Sequence, residues 1–338
     1  MTTLGPTDRD HRPSPSIRRR PSPVPMIFRM HRAAITGTVL TVGAFAGVLA
    51  ILRHLASAAL QGAPLEEVCP GWAGFCVENG MWWWERGQVL PGLTIALLAL
   101  PTVTGCLVGA AVFARDQERG TDILLQTQGL SARRWWVARM LVIAAPVALL
   151  FAALGALARS TFDAAFESMS EPMRTPGFEI TGPVLAGYFL LALGLTAAAG
   201  AWTHHTPAAI TLGLVGAVAV VLAVGTWVRP HYQAPLTTTV PITAAETWSA
   251  DRPMPPDWIL DDVYVDPRGG LVTASQITCD GQTSADWQRC FSEQVVAQRL
   301  VYQPADRWLR FQLTELALTT VIGLGAAVLG FRRSRGAR

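Results

Sequence analysis

The chain has 338 residues, of which 51% are hydrophobic and only 15% charged, with a net charge of +3. A soluble domain of that length needs more charge than this to cover its surface, so a soluble globular protein is excluded. The small net charge gives no footing for nucleic-acid binding, and every basic residue is an arginine. What matters is where the arginines sit.

The apolar residues fall in blocks of about 20, the length that crosses a ~30 Å hydrocarbon core at 1.5 Å per residue. They predict an all-α integral membrane protein with six transmembrane helices and a small extracytoplasmic domain between spans five and six. Residues 1–32 are rich in Pro, Ser and Arg near the start. They cannot bury enough apolar surface to fold, and are read as a basic, disordered cytoplasmic N-terminus. Residues 33–228 form the membrane domain, with spans at 33–52, 89–114, 137–158, 182–202 and 207–228. Ala56, Ser57 and Ala58 after the first span resemble a signal-peptide cleavage site. The apolar run is longer than usual and Arg53 and His54 intervene, so the span is read as retained. Gly43 and Gly47 in span one, and Gly105 and Gly109 in span two, are both GxxxG pairs. Such spacing fits close helix packing or simply the abundance of glycine.

Between spans two and three, residues 115–136 are more elaborate than a tether requires. Span two is predicted to run on to Arg119 and stop at Gly120. Thr121 and Asp122 then start a short helix, Gly129 ends it, and Ser131 caps a third piece. That piece places Arg133, Arg134, Trp135 and Trp136 at the lipid interface. Ile123, Leu124 and Leu125 are left facing the cytoplasm, where short apolar side chains on a rigid helix suit a partner groove. Further along, His204 and His205 fall in a tight turn before Pro207. Adjacent helical residues point about 100° apart, so the two do not converge on a metal.

Residues 229–310 are read as the extracytoplasmic domain, with an amphipathic helix over 286–302 that carries Trp287, Phe291 and Val295 four apart. The sixth span, 311–331, leads into a basic cytoplasmic tail that ends the segment 311–338. Glu315 is the only acid within a span, and with Gln312 it is expected to bond neighbouring helices close enough to the outer surface to reach water.

The arginines test this layout. Arg115, Arg119, Arg133, Arg134 and Arg139 lie between spans two and three, and arginines flank both ends of the chain. The short outer loops hold Arg53, Arg86, Arg159 and Arg174 among many acids. Basic loops stay on the cytoplasmic side, so both termini are placed there, in a bacterial cell membrane. Cys69 and Cys76, and Cys279 and Cys290, then face the oxidising side, while Cys106 lies inside span two. That partition predicts two disulfides, although four cysteines allow three connectivities and free thiols remain an alternative. Zinc fits least: the spacings are not CxxC and no histidine lies near either pair. No metal site is predicted, and no Walker, GxGxxG, HExxH or GxSxG motif occurs.

The segment 113–136 resembles the permease subunits of type-2 ATP-binding-cassette transporters. In that family an acid, a Gly-Thr pair and a Leu-Leu run precede a small, basic and aromatic approach to span three. Glu118, Gly120, Thr121, Leu124, Leu125, Ser131, Arg133, Arg134 and Trp135 occupy matching places, whereas Gln126 to Gln128 depart from the family's usual apolar run. Residues 28–32 and 302–312 look like actinobacterial members. The resemblance implies a subunit that works within the lipid bilayer and pairs with a cytoplasmic ATP-binding-cassette ATPase. It also implies a second permease subunit, as a homo- or heterodimer. ATP would sit on the ATPase, with no cofactor and no catalytic residue on this chain. Glu118, Arg119, Gly120, Thr121, Leu124 and Leu125 would form the coupling contact, and export would be the task. Two other classes stay open. A membrane-anchored sensor or assembly factor would use residues 229–310 as its binding module, without transport. A membrane-embedded enzyme would need converging acids, histidines or a nucleophile, and none is evident.

Overall fold

The computed structural model describes residues 24–60, 89–119, 131–165, 173–242, 257–279 and 283–336. Six helices are long and apolar enough to cross a membrane: Val24–His54, Gly92–Arg119, Ala132–Asp163, Val184–Thr203, Thr206–His231 and Ala305–Ser334. They coincide with the six predicted spans, and the chain is a multi-pass, all-α membrane protein in those spans. Consecutive spans alternate in direction. The arginine-rich segments therefore gather at one end, the basic end, and a small β-sheet sits at the other, the sheet end.

The first span begins earlier than expected. The stretch 1–32 was predicted to be unfolded, but it is helical from Val24, and Ile27 within it is buried. Pro25 stands in the first turn, where its missing N–H costs no helical bond. The apolar run from Met26 to Phe28 gives that turn something to bury. The helix kinks at His31, whose backbone leaves helical geometry (φ −110°, ψ 16°).

Span four is the axis of the bundle. Across its apolar stretch 89% of residues are buried inside the protein, against 17% for span one. Small residues make this possible. A Cβ on Gly194 would collide with the backbone carbonyl of Gly323 in span six, so the two helices touch backbone to backbone there. The GxxxG pair of span two does the same against span four. A Cβ on Gly105 would lie 2.5 Å from the Phe189 carbonyl, and one on Gly109 would lie 2.8 Å from that of Leu193. Gly43 and Gly47 have no such neighbour within 4 Å.

Among the described residues, spans two, three and five each contain one π-turn, at Ala110–Ala114, Met140–Ala144 and Val224–Val228. A π-turn accommodates one extra residue and so changes which side chains face the neighbours beyond it. The turns of spans three and five directly adjoin a buried arginine, Arg139 and Arg229 respectively, and the turn of span two is met by Arg139 through the Val112 carbonyl.

Four strands lie between spans five and six: β1 Leu236–Pro241, β2 Trp258–Val265, β3 Leu271–Val272 and β4 Ala297–Gln303. They form one antiparallel sheet in the order β1-β4-β2-β3, with an irregularity between Ile259 and Asp261 in β2. A helix, Ser284–Gln294, packs on it. Phe291 meets Tyr264 edge to face at 5.4 Å and stacks on Trp287 at 4.9 Å. Cys279 and Cys290 are joined by a disulfide, which ties this helix to the segment before it. The helix expected over 286–302 is thus corrected. It ends at Gln294, the β-branched Val295 and Val296 favour extended backbone, and 297–303 become the strand between β1 and β2. The sheet is bolted to the spans by Gln303, fully buried, whose Nε2 donates to the carbonyls of Pro230 (3.2 Å) and Gln233 (2.7 Å).

Candidate functional site

At the basic end, span two passes through its π-turn into the short helix Arg115–Arg119. Two contacts hold this extension in place. Asp116 forms an ion pair with Arg139 of span three, which also donates from Nη1 to the Val112 carbonyl at 2.6 Å. That carbonyl belongs to the π-turn, where the widened turn leaves it accessible to a side-chain donor. The Arg139 guanidinium lies 4.8 Å from the ring centre of Trp135, and the buried His31 at the kink of span one is within electrostatic reach of both charges.

Glu118 makes the second contact. Its carboxylate accepts from the Thr206 hydroxyl and, at 3.3 Å, from the Thr206 N–H, the first residue of span five. An anion at a helix N-terminus meets unpaired N–H groups and the positive end of the helix dipole. Span five reaches that position through the turn predicted at His204 and His205. His204 adopts left-handed backbone (φ 52°), and its N–H closes span four on the Gly200 carbonyl at 3.0 Å. Arg119 is exposed at the tip. Gly120, Thr121, Leu124 and Leu125 lie outside the described residues.

Beyond them, Ser131 caps the helix Ala132–Arg139 as its sequence predicts, accepting from the Arg134 N–H at 3.3 Å. The two tryptophans expected at the lipid interface are drawn inward. Trp135 is buried, and Trp136 lies between Phe113 at 6.1 Å and Phe331 at 5.6 Å.

At the sheet end a second polar cluster is sealed inside the bundle. Gln312 and Glu315, one turn apart on span six, are both fully buried. Glu315 was expected to reach water; it does not, because Arg229 reaches it first. The Arg229 fork donates from Nε to Glu315 Oε2 and from Nη2 to Oε1, each at 2.8 Å. Tyr188 of span four adds a hydrogen bond to Oε1 at 2.5 Å, and Tyr232 one to Oε2 at 3.2 Å. Tyr232 lies just beyond span five, and burial, then the Glu315 carboxylate, push its hydroxyl well above the usual phenol range. The third guanidinium nitrogen of Arg229, Nη1, donates to Glu179 Oε1 at 2.7 Å, and the Phe178 ring covers the guanidinium at 3.9 Å. Glu179 and Phe178 come from the short helix Gly177–Ile180 that precedes span four.

Gln312 completes the joint. It donates to the Phe178 carbonyl at 2.8 Å and accepts from the Val184 N–H at 3.1 Å, which caps the start of span four. The expected bonding of Glu315 and Gln312 to neighbouring helices is what the structure shows. The partners Arg229, Glu179 and Tyr188 were missed. An arginine at a span's end reads as one reaching for water, and Glu179 reads as a loop acid. The available signal was the lone intramembrane carboxylate, which calls for a cationic partner on the same end.

Of the predicted cysteine pairs, Cys279–Cys290 is bridged, Cys69 and Cys76 lie outside the described residues, and Cys106 is buried as a free thiol in span two. Among the described residues no three His, Cys, Asp or Glu side chains gather to hold a metal ion.

No curated protein and no solved structure matches the chain. A family model described as ABC-2 membrane transporter related matches residues 39–229. The match takes in spans two to four, nearly all of span five and the second half of span one, with the extension of span two and both of its contacts, and it ends on Arg229. Since it spans more than half of the sequence, the chain belongs to the ABC-2 membrane transporter related family.

Proposed function

We propose that this chain is the membrane-spanning subunit of an ATP-binding-cassette exporter in a bacterial cell membrane. It pairs with a separate cytoplasmic ATPase, which carries the ATP, and with a second permease subunit. One observation carries the reading. Span two continues past the apolar core to Arg119, pinned to span three through Asp116–Arg139 and to span five through Glu118–Thr206. A force applied to residues 120–130 would therefore reach three spans at once. A tether between two spans has no need of this. The arginine distribution supports a cytoplasmic basic end, and a disulfide in the sheet domain suits an oxidising exterior.

In this reading Leu124 and Leu125 enter an apolar groove on the ATPase, and Arg119 lies at the rim of that contact. Replacing both leucines with Asp would bring charges into the groove at a cost of several kcal/mol. The Leu124→Asp/Leu125→Asp variant is expected to insert and fold normally, yet to lose co-purification with the ATPase and ATP-dependent export. Retention of both by the variant would remove the coupling role. The membrane-anchored sensor would then be the better account.

A further inference from the structure

Three strands of the sheet are fastened to the spans close to one end. Just ahead of β1, the Ala234 carbonyl accepts from Arg307 Nη1 at 2.8 Å. Just ahead of β2, Asp257 Oδ1 accepts from the Ala305 N–H at 2.8 Å. β4 ends on Gln303, which bonds to Pro230 and Gln233. Pro230 lies at the end of span five, while Ala305 and Arg307 open span six.

One cross-strand row adjoins all three fastenings. Tyr302 is paired with Leu236 on one side and with Ile259 on the other, so the three side chains share a face. Each stands one or two residues from its fastening, no more than about 7 Å along the chain. Leu236 is 42% and Ile259 38% exposed. The opposite face carries Thr237, Thr239, Asp261 and Arg299, all exposed and polar. On the apolar face the next row, Thr238, Leu300 and Asp262, already includes an exposed carboxylate. Farther out, the helix Ser284–Gln294 covers that face through Phe291 on Tyr264. The open apolar surface is therefore one row deep and lies level with the span ends.

We propose that this row is a lipid contact: it rests in the headgroup layer of the leaflet at the sheet end, with Leu236 and Ile259 against the upper acyl chains. Two observations choose lipid as the occupant. The headgroup layer extends about 5–7 Å beyond the hydrocarbon core on each side, and the fastenings hold the row within that reach. The row also continues the lipid-facing surface of the spans along the chain. Trp227 and Val228 near the end of span five and Leu309 near the start of span six are 75%, 42% and 52% exposed. An element with one apolar and one polar face lies in the interface with its apolar side at the boundary between headgroups and acyl chains. A tyrosine suits that depth, ring toward the chains and hydroxyl toward the headgroups. The proposal needs only a bilayer around the six spans, so it stands or falls apart from the transport reading.

The test uses the full-length chain in phosphatidylcholine nanodiscs without an ATPase. A ketone-bearing amino acid carrying a nitroxide replaces Leu236, Ile259, Thr239 or Asp262 one at a time, which leaves the cysteines untouched. Collisions with oxygen, which partitions into lipid, are compared with collisions with a water-soluble nickel chelate. The ratio of oxygen to nickel access should be severalfold higher at Leu236 and Ile259 than at Thr239 and Asp262. A second measurement reads the unaltered chain. A phospholipid with a diazirine near its glycerol end should, on illumination, label Leu236, Ile259 or Tyr302 as it labels Trp227 and Leu309, and should spare Thr239 and Arg299. Nickel access at Leu236 and Ile259 equal to that at Thr239 overturns the proposal, because water would then be the occupant. So does low access to both reagents with lipid adducts confined to the spans. The row would in that case be covered by another part of the chain or by a second copy.

Discussion

Each end of the bundle buries one arginine against carboxylate, yet the two are built differently. At the basic end Arg139 pairs with Asp116, and their side chains are 5% and 14% exposed. At the sheet end Arg229 faces two carboxylates, and no member of the trio exceeds 4%. The first pair keeps water within reach of one partner, so opening it exposes charge to solvent. Opening the second would strand charge in an apolar interior, where the penalty is several-fold larger. One end is therefore suited to move and the other to hold.

The sharpest test of this difference removes the sheet-end cation. Arg229→Met leaves Glu179 and Glu315 buried against each other and is expected to cost about 3–5 kcal/mol, read as a large fall in the unfolding temperature of the purified protein. Changing Glu179 and Glu315 to Gln in the same chain should restore most of the loss. If Arg229→Met alone were harmless, the cluster would not be the fixed end. A smaller effect is expected for Asp116→Asn at the basic end. The pair there is partly hydrated, so about 1–2 kcal/mol of stability is lost. The larger consequence should be kinetic, with ATPase stimulation falling while expression holds. Equal destabilisation by Asp116→Asn and Arg229→Met would erase the distinction. The smallest effect belongs to Glu118→Gln, which keeps an acceptor for Thr206 but removes the charge at the start of span five. Unfolding should be indistinguishable from the wild type, and only the salt dependence of ATPase-stimulated transport should change.

How much of this was legible in the sequence follows from the range of the interactions. Spans declare themselves through local apolar length, and the Ser131 cap and the His204 turn through adjacent residues. The Arg229 fork could not be read that way, because its partners lie 86 and 50 positions distant. The two GxxxG pairs make the same point. Their spacing is identical, but Gly105 and Gly109 meet span four while Gly43 and Gly47 meet nothing. Which outcome holds depends on the neighbour and not on the motif. The sheet was hidden for another reason. Its central strand, β4, directly follows a well-patterned amphipathic helix, and its residues are half-buried on both faces, so no alternation marked where the helix stopped.

The strand order β1-β4-β2-β3 also sets a timetable for biogenesis. β1 leaves the ribosome first, but its partner among the described strands is β4, made last. At about 5–20 residues per second, Leu236 waits several seconds before Tyr302 is synthesised. Glu315 follows Tyr302 almost at once, so Arg229 gains its main counter-charge as the sheet closes. Until then the arginine at the end of the fifth span has only Glu179 to neutralise it. Arrest of synthesis shortly before residue 297 would therefore trap an intermediate with an unpaired strand and an open charge, a form that membrane quality control can recognise.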